Sequence, residues 1–431
     1  MSSSQHQNIF SNLPLAPPDA IFQLTAAYKA DQFNTKVNLG VGAYRDDSGK
    51  PWVLPVVKTV KNELAQDDSL DHEYQPITGL PSFTSASAAL ILGSNSPAIS
   101  ENRLVFSFLE VAKAQTISGT GANHLGGLFL AKFYQPWQSL PADQQVVYLS
   151  NPTWGEHNYH SLQFVDFFVG NHKAIFANLG LTTKDYPYYD PKTIGLNYQA
   201  FANALNAAPS MSVFLLHACA HNPTGGHYAF FDCAYQGFAS GDLDNDAWAV
   251  RHFVDRKIPL LICQSFAKNA GLYGERIGCL TLVGKDQDET SRIQSQISVL
   301  QRSEISNPPA YGARIVSKIL NEPHHFEQWK KDVSTMAERI IDMRKKLRDL
   351  LENKFKTPGS WEHITRQIGM FSSLSLFMIR FTGLTPPQAE EIVKNAHIYM
   401  TGNGRISMAG LNSSNVEYVA ECIDKAVRGG L

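Results

Sequence analysis

"SVFLLHACAHNPTGGHYAFFDCAYQG", residues 212–237, sets two apolar runs on either side of a turn. Short apolar runs bounded by Gly, Pro and Asn read as strands buried on both faces, the pattern of a parallel sheet. Parallel neighbours normally need a crossover of about a dozen residues or more, usually a helix. Here only His221 to Tyr228 separate the two runs. The stretch therefore predicts a parallel sheet with one abnormal link, at which the strands shift, exchange neighbours or end in strain.

The same patterning extends outward. From residue 100 to 290 short apolar runs such as "VVYLS", "PLLICQSF" and "CLTLVG" alternate with helical or loop stretches, which indicates an α/β fold with a mostly parallel central sheet flanked by helices. Beyond it, Met336, Ile340, Met343, Leu347 and Leu350 recur at spacings of four and three, as in an amphipathic helix stopped by Pro358-Gly359. The short strands expected in "GMFSSLSLFMIRFTG" and "IYMTGNGRISMAG", followed by a C-terminal helix, suggest a smaller α+β domain.

Composition narrows the function. Lys and Arg total 37 against 39 for Asp and Glu, so no basic field favours nucleic acid or an acidic membrane, and a small-molecule partner is expected. The five cysteines form no metal-like spacing and suit a reducing compartment, which predicts no metal site. The N-terminal arm lacks the pattern of a secretory signal or a transit peptide, and no apolar run approaches the roughly 18 residues of a membrane span.

Several residues could carry chemistry. Lys268 follows a buried strand in "QSFAKNAGLYGERIG", where partial desolvation would prepare its amine to form a Schiff base; the plainer alternative is a lysine snorkelling from a strand end. Asp232 ends the apolar run "YAFF", where a carboxylate needs a cation or a donor, either a protonated ring nitrogen or a structural ion-pair partner. Tyr235, three residues on, is in isolation an ordinary packed tyrosine. Ser118, Gly119 and Thr120 precede a helix-like stretch and could form a cup for one phosphate, or simply a Gly-rich turn. Arg276, Arg302 and Arg405 lie near turns and could bind anionic groups, or sit in surface pairs such as Glu275–Arg276 and Arg302–Glu304.

Together these residues resemble the aspartate aminotransferases, fold-type I enzymes dependent on pyridoxal 5'-phosphate (PLP), of the cytosolic eukaryotic kind. The likeness runs from "VNLGVGAYRDDSGKPWVLPVV" through "HEYQPITGL", "SGTGA", "NPTW", "HACAHNPTG" and "QSFAKNAGLYGERIG" to "SNPPAYGARIV" and "GRISMAGL". It implies an N-terminal arm and part of a small domain in 1–52, a large cofactor-binding domain in 53–317, and the rest of the small domain in 318–431. It also implies that Lys268 holds the cofactor covalently and shuttles a proton, that Asp232 keeps the ring nitrogen protonated, and that Asn222 and Tyr235 bind the ring oxygen. Trp154 would stack on the ring. Ser118, Gly119, Thr120, Ser265 and Arg276 would hold the phosphate, helped by Tyr74 from the neighbouring subunit of a homodimer. Arg405 would clamp the substrate α-carboxylate and the neighbour's Arg302 the side-chain carboxylate, with Gly42 and Phe371 at the entrance. The implied reaction moves the amino group between L-aspartate and 2-oxoglutarate, giving oxaloacetate and L-glutamate, in the cytoplasm.

Four departures accompany the resemblance. A segment of helix length is missing after Gly225, and three apolar additions, Leu104–Lys113, Tyr159–Gly170 and Ser373–Arg380, flank Ser118, Trp154 and Phe371. Deleting the additions restores the family pattern, as unspliced introns and a skipped exon would. The alternative function is thus an inactive or mis-spliced relative. A nicotinamide-dependent oxidoreductase would rest on Gly119 and Gly121 alone, and His124 stands where a third glycine would be needed.

Overall fold

Strands β1 (Val111–Ile117), β2 (Val146–Asn151), β3 (Thr182–Pro187), β4 (Val213–His217), β5 (Tyr228–Cys233), β6 (Leu260–Ser265) and β7 (Ile277–Val283) form a single sheet in the order β1-β7-β6-β5-β4-β2-β3. Pairing is parallel except at β7, which runs antiparallel to both β1 and β6. The architecture is that of a computed structural model describing residues 10, 13–16, 20–40, 42–100, 111–151, 153, 171–190, 195–217, 226–373, 384–402 and 404–431.

Each central strand is apolar on both faces because each face is covered. Phe214, Leu216 and Phe231 pack against the helices Pro81–Leu92, Tyr198–Ala207 and Leu243–Asp255. Val213, Leu215 and Phe230 pack against the helices Ser118–Phe133, Asn171–Asn178 and Gln287–Glu304. Polar chemistry is thereby confined to the strand ends, where sheets of this kind place their ligands.

The strands of the opening stretch do not exchange neighbours. β4 and β5 are adjacent and parallel from Val213 opposite Tyr228 to His217 opposite Asp232, so the expected reconnection is not found and Tyr228 belongs to the strand. Five register pairs and burial on both faces hold β5 in place, because a slip by one residue would turn each side chain to the other face. Its entry is pinned by local bonds: Tyr228 N–H donates to the Ser212 carbonyl at 2.9 Å, Met211 N–H donates to the Gly226 carbonyl at 3.0 Å, and Gly226 has a φ of 64°. The link 218–225, with Asn222, lies outside the described residues. The β5-to-β6 crossover uses the helix Leu243–Asp255, and a right-handed β4-to-β5 crossover would occupy the same face. On that face lies an apolar cavity of about 190 Å³, bordered by Met211, Phe214, Leu216, Ala229 and Phe253.

Most of the segments read as additions fall outside the described residues. Their described margins lie in strands: Val111, Ala112 and Lys113 are the first three residues of β1, paired with Val283, Leu282 and Thr281. Ser373 pairs with Arg405 in a two-stranded antiparallel sheet.

The long amphipathic helix begins earlier than its periodicity indicated, at Pro323, and runs to Asp349 before a wider turn over Leu350–Lys354. Met336, Ile340, Met343 and Leu347 are buried as their spacing required. Against it pack the C-terminal helix Val416–Arg428 and the short pairs Val37–Asn38 with Ile398–Tyr399 and Phe371–Ser373 with Arg405–Ser407.

Gly278 in β7 joins the fold to the site. A Cβ there would lie 2.5 Å from the Ser118 carbonyl carbon and 2.6 Å from both the Ser118 and Gln264 oxygens, so only glycine lets the start of the helix Ser118–Phe133 rest on the sheet. Gly278→Ala is expected to destabilise the chain by about 2 kcal/mol or more. A urea titration showing the unfolding midpoint unchanged would contradict this.

Candidate active site

The C-terminal ends of β1, β5 and β6 meet at one point. β1 and β6 are not neighbours, yet both pair with β7, which sets Thr116 and Ser265 on either side of Gly278. Ser118, with a φ of 59°, turns the chain from β1 into its helix, and its N–H donates to the Arg276 carbonyl at 3.1 Å. The Ser118 and Ser265 hydroxyl oxygens are hydrogen-bonded at 3.1 Å. A Cβ on Gly119 would come within 3.1 Å of the Ser265 Cβ and 4.0 Å of Asp232 Oδ1. Two hydroxyls and the open N–H groups of a helix start therefore border a carboxylate, which is an anion cup beside an acid.

Asp232 is buried at the end of β5. Burial pushes its carboxyl upward, but the His172 hydrogen bond and the electrostatic influence of the neighbouring His172, His217 and Lys268 side chains outweigh it, and the net shift is downward. His172 Nε2 lies 3.2 Å from Asp232 Oδ2, and on its other side Nδ1 lies 2.9 Å from the Thr153 hydroxyl. With the carboxylate ionised, Nε2 is the donor. His217, opposite Asp232 in the register, is held down to about 4, chiefly by burial, so it stays neutral at physiological pH.

Lys268 lies in the turn after β6, with its Nζ 4.1 Å from the centroid of the Tyr235 ring. Tyr235 follows β5, and the Lys268 amine is close enough to act electrostatically on Asp232. On the small-domain side, the Arg405 guanidinium carbon lies 4.5 Å from the centroid of the Phe371 ring, and a Cβ on Gly42 would approach that ring to 2.9 Å. Burial holds the Arg405 pKa below its ordinary range, opposed by the charge of Tyr235. Phe371, Gly42, Arg405 and Tyr235 thus converge.

Among the described residues neither Glu275–Arg276 nor Arg302–Glu304 is an ion pair. Arg276 donates to the Tyr273 carbonyl at 3.1 Å, Arg302 donates to the Ser306 hydroxyl at 2.7 Å, and Glu304 is bound by His124 at 3.0 Å. Tyr74 and Arg302 are not joined to Asp232 or Lys268 by any contact among the described residues. They are joined to each other's surroundings: the Ser306 hydroxyl donates to Asn307 Oδ1 at 2.9 Å, and Asn307 Nδ2 donates to the Gln75 carbonyl at 2.7 Å. Tyr74 is 87 % exposed, so both side chains sit on one outward face. Thr120 is half-buried in the first turn of its helix. Trp154 and Asn222 lie outside the described residues.

Sequence reasoning did not single out His172, His217 or Thr153. For His217 a signal existed: it ends a buried apolar run in "SVFLLH" just as Asp232 ends "YAFF".

The chain belongs to the class I and II aminotransferases. The family profile, "Aminotransferase class I and II", matches residues 34–160 and 168–423, its only interruption falling inside the addition 159–170. Within the family, the chain is 47 % identical to the cytoplasmic aspartate aminotransferase of Schizosaccharomyces pombe, over 97 % of this chain and 98 % of that protein. It is 45 % identical to the cytoplasmic enzyme of Gallus gallus over 97 % of this chain and 98 % of that one. The solved structure of aspartate aminotransferase from Saccharomyces cerevisiae cytoplasm matches with a TM-score of 0.84 and 46 % identity, over 98 % of this chain and 99 % of that one. An aromatic-amino-acid aminotransferase from Burkholderia pseudomallei, covalently bound to pyridoxal phosphate, matches with a TM-score of 0.84 and 33 % identity over 97 % of this chain and 99 % of that one.

Proposed function

We propose that this chain is a PLP-dependent aspartate aminotransferase, exchanging an amino group between L-aspartate and 2-oxoglutarate to give oxaloacetate and L-glutamate. The observation that carries the reading is the convergence of an ionised, His172-bonded Asp232, an amine at Lys268 and an anion cup at Ser118–Gly119–Ser265. That donor set fits the cofactor: a carboxylate for a ring N–H, an amine for an aldehyde, and hydroxyls with helix-start N–H groups for one phosphate. An inactive or mis-spliced chain is not favoured, because the strand bearing Asp232 keeps its ordinary neighbours.

When bound, PLP supplies a carbon that accepts the amino group and a protonated ring that draws in the electron pair left at the substrate Cα. Asp232 accepts the ring N–H, and its lowered pKa keeps it ionised for that role. Lys268 would hold the cofactor through its amine and, once freed, would carry the proton between the substrate Cα and the neighbouring cofactor carbon. Tyr235 and Asn222 would donate to the ring oxygen, and Trp154 would cover the ring face. Ser118, Gly119, Thr120, Ser265 and Arg276 bind the phosphate. Arg405 holds the substrate α-carboxylate bidentately, with Phe371 and Gly42 shaping the approach.

Arg302 and Tyr74 serve the neighbouring site of a homodimer. Their shared outward face supports this, as do the exposed apolar side chains Val299, Ile305 and Tyr311 on the same helices and turn. The same reading divides the chain into 1–52, 53–317 and 318–431, with the long helix Pro323–Asp349 at the core of the small domain. It also assigns the protein to the cytoplasm, supported by relatives named cytoplasmic. No helix among the described residues is long and apolar enough to cross a membrane.

Arg302→Ala is expected to lower kcat/KM for aspartate about a thousandfold while leaving that for alanine within a few fold, since only the dicarboxylate loses a partner. Mixed dimers test the subunit assignment. Chains bearing Lys268→Ala and Arg302→Ala, each nearly inactive alone, should regain activity when co-refolded, because one hybrid site then has both residues intact. No recovery in verified hybrids would refute the shared site.

A further inference from the structure

Far from the anion cup, "NEPHHFEQW" (residues 321–329) places two adjacent histidines in the first turn of the helix Pro323–Asp349, beside the helix Pro55–Ala65. His325 is only 3 % exposed and lies between two carboxylates, with its Nε2 2.9 Å from Glu63 Oε2 and 3.3 Å from Glu322 Oε2. His324 Nε2 reaches Glu322 Oε2 at 3.7 Å from the solvent side. One donor atom each from Glu63, His324 and His325 lie within 4.8 Å of one another. Lys318 already bridges the two carboxylates, its Nζ 3.2 Å from Glu63 and 2.9 Å from Glu322.

We propose that His324, His325, Glu63 and Glu322 form a binding site for a divalent transition-metal ion, preferentially zinc. Bonds of about 2.0–2.2 Å from zinc to nitrogen and oxygen give tetrahedral ligand spacings of about 3.3 Å; the His325–Glu63, His325–Glu322 and His324–Glu322 separations of 2.9, 3.3 and 3.7 Å bracket that value, and Glu63 and His324 need close only from within 4.8 Å. Imidazole with carboxylate suits zinc better than calcium or magnesium, which prefer oxygen alone. The Lys318 ammonium shows that the carboxylate pair holds a cation, and a divalent ion would displace it toward solvent. The two helices are already tied at the other end by Val56 N–H donating to Asp332 at 2.9 Å. An ion at His325 would fasten the second end. None of these residues belongs to the catalytic machinery, so the site stands independently of the transamination reading.

The test is titration of the purified full-length protein, loaded with its cofactor and free of amino acid, with zinc chloride by calorimetry and with cobalt chloride by visible absorption. One tight equivalent of zinc and the intense visible bands of four-coordinate cobalt are expected. His324→Gln, an exposed change that should leave the metal-free Tm unaltered, is expected to weaken binding about tenfold or more, and Glu322→Gln likewise. Lys318→Gln is expected to tighten it severalfold by removing a like charge. Zinc affinity unchanged in both ligand variants, or only the weak spectrum of six-coordinate cobalt, would overturn the proposal.

Discussion

Lys268→Ala is expected to lower single-turnover transamination of aspartate about ten-thousandfold or more, the range lost when a positioned acid–base group is removed. The proton at Cα must leave and return one carbon away, and among the described residues only the Lys268 amine both lies over the Tyr235 ring and acts electrostatically on Asp232. Alanine leaves Asp232, His172 and the cup in place, so the cofactor should still bind and the loss should fall on kcat rather than on KM. Stopped-flow absorbance of the cofactor band after mixing with aspartate separates the two. A variant that turns over within tenfold of the parent would remove Lys268 from the chemistry.

Asp232→Asn should cost about a hundredfold to a thousandfold in kcat/KM, comparable to the loss of one preorganised electrostatic partner at a reacting centre. The change is nearly isosteric, so the helices and β5 should be undisturbed. Its physical content is the sign of the group facing the ring nitrogen. An ionised carboxylate favours the protonated ring, whereas an amide can donate to an unprotonated one. His172→Asn removes only the bond that helps hold Asp232 ionised and oriented, so a smaller loss is expected. Equal losses in the two variants would mean that position, rather than charge, is what Asp232 contributes.

The chemistry was legible wherever a residue broke the local rule of its surroundings. Asp232 is conspicuous because it ends an apolar strand, and the structure supplies the expected donor in His172. His172 itself was not legible, because a histidine at a helix start following a long addition breaks no rule until the helix is placed against β5. The parallel sheet could be read from two-sided apolar runs such as Val213–Leu216, whereas the antiparallel run of β7 could not, since "CLTLVG" has the same composition in either direction. The short link misled for a related reason. Chain length between strands argues about crossovers in general, but the position of β5 is decided by five register pairs and by aromatic side chains buried on both faces. Tyr74 and Arg302 resisted reading from the residues alone because an outward-facing side chain takes its meaning from whatever lies opposite.

The place of β7 also bears on how the protein is made. Among the described residues β1 sits at the edge of the sheet and pairs only with β7, so after residues 111–117 emerge from the ribosome that pairing waits until residues 277–283 have been added. Throughout that interval a strand that will be almost wholly buried is exposed with its hydrogen-bonding edge open, and long-range pairings of this kind form slowly and invite aggregation. The phosphate cup, standing on the same junction, is therefore among the later parts of the large domain to assemble. During synthesis, chaperone demand should peak while the residues between β1 and β7 are being translated, well before the chain is released.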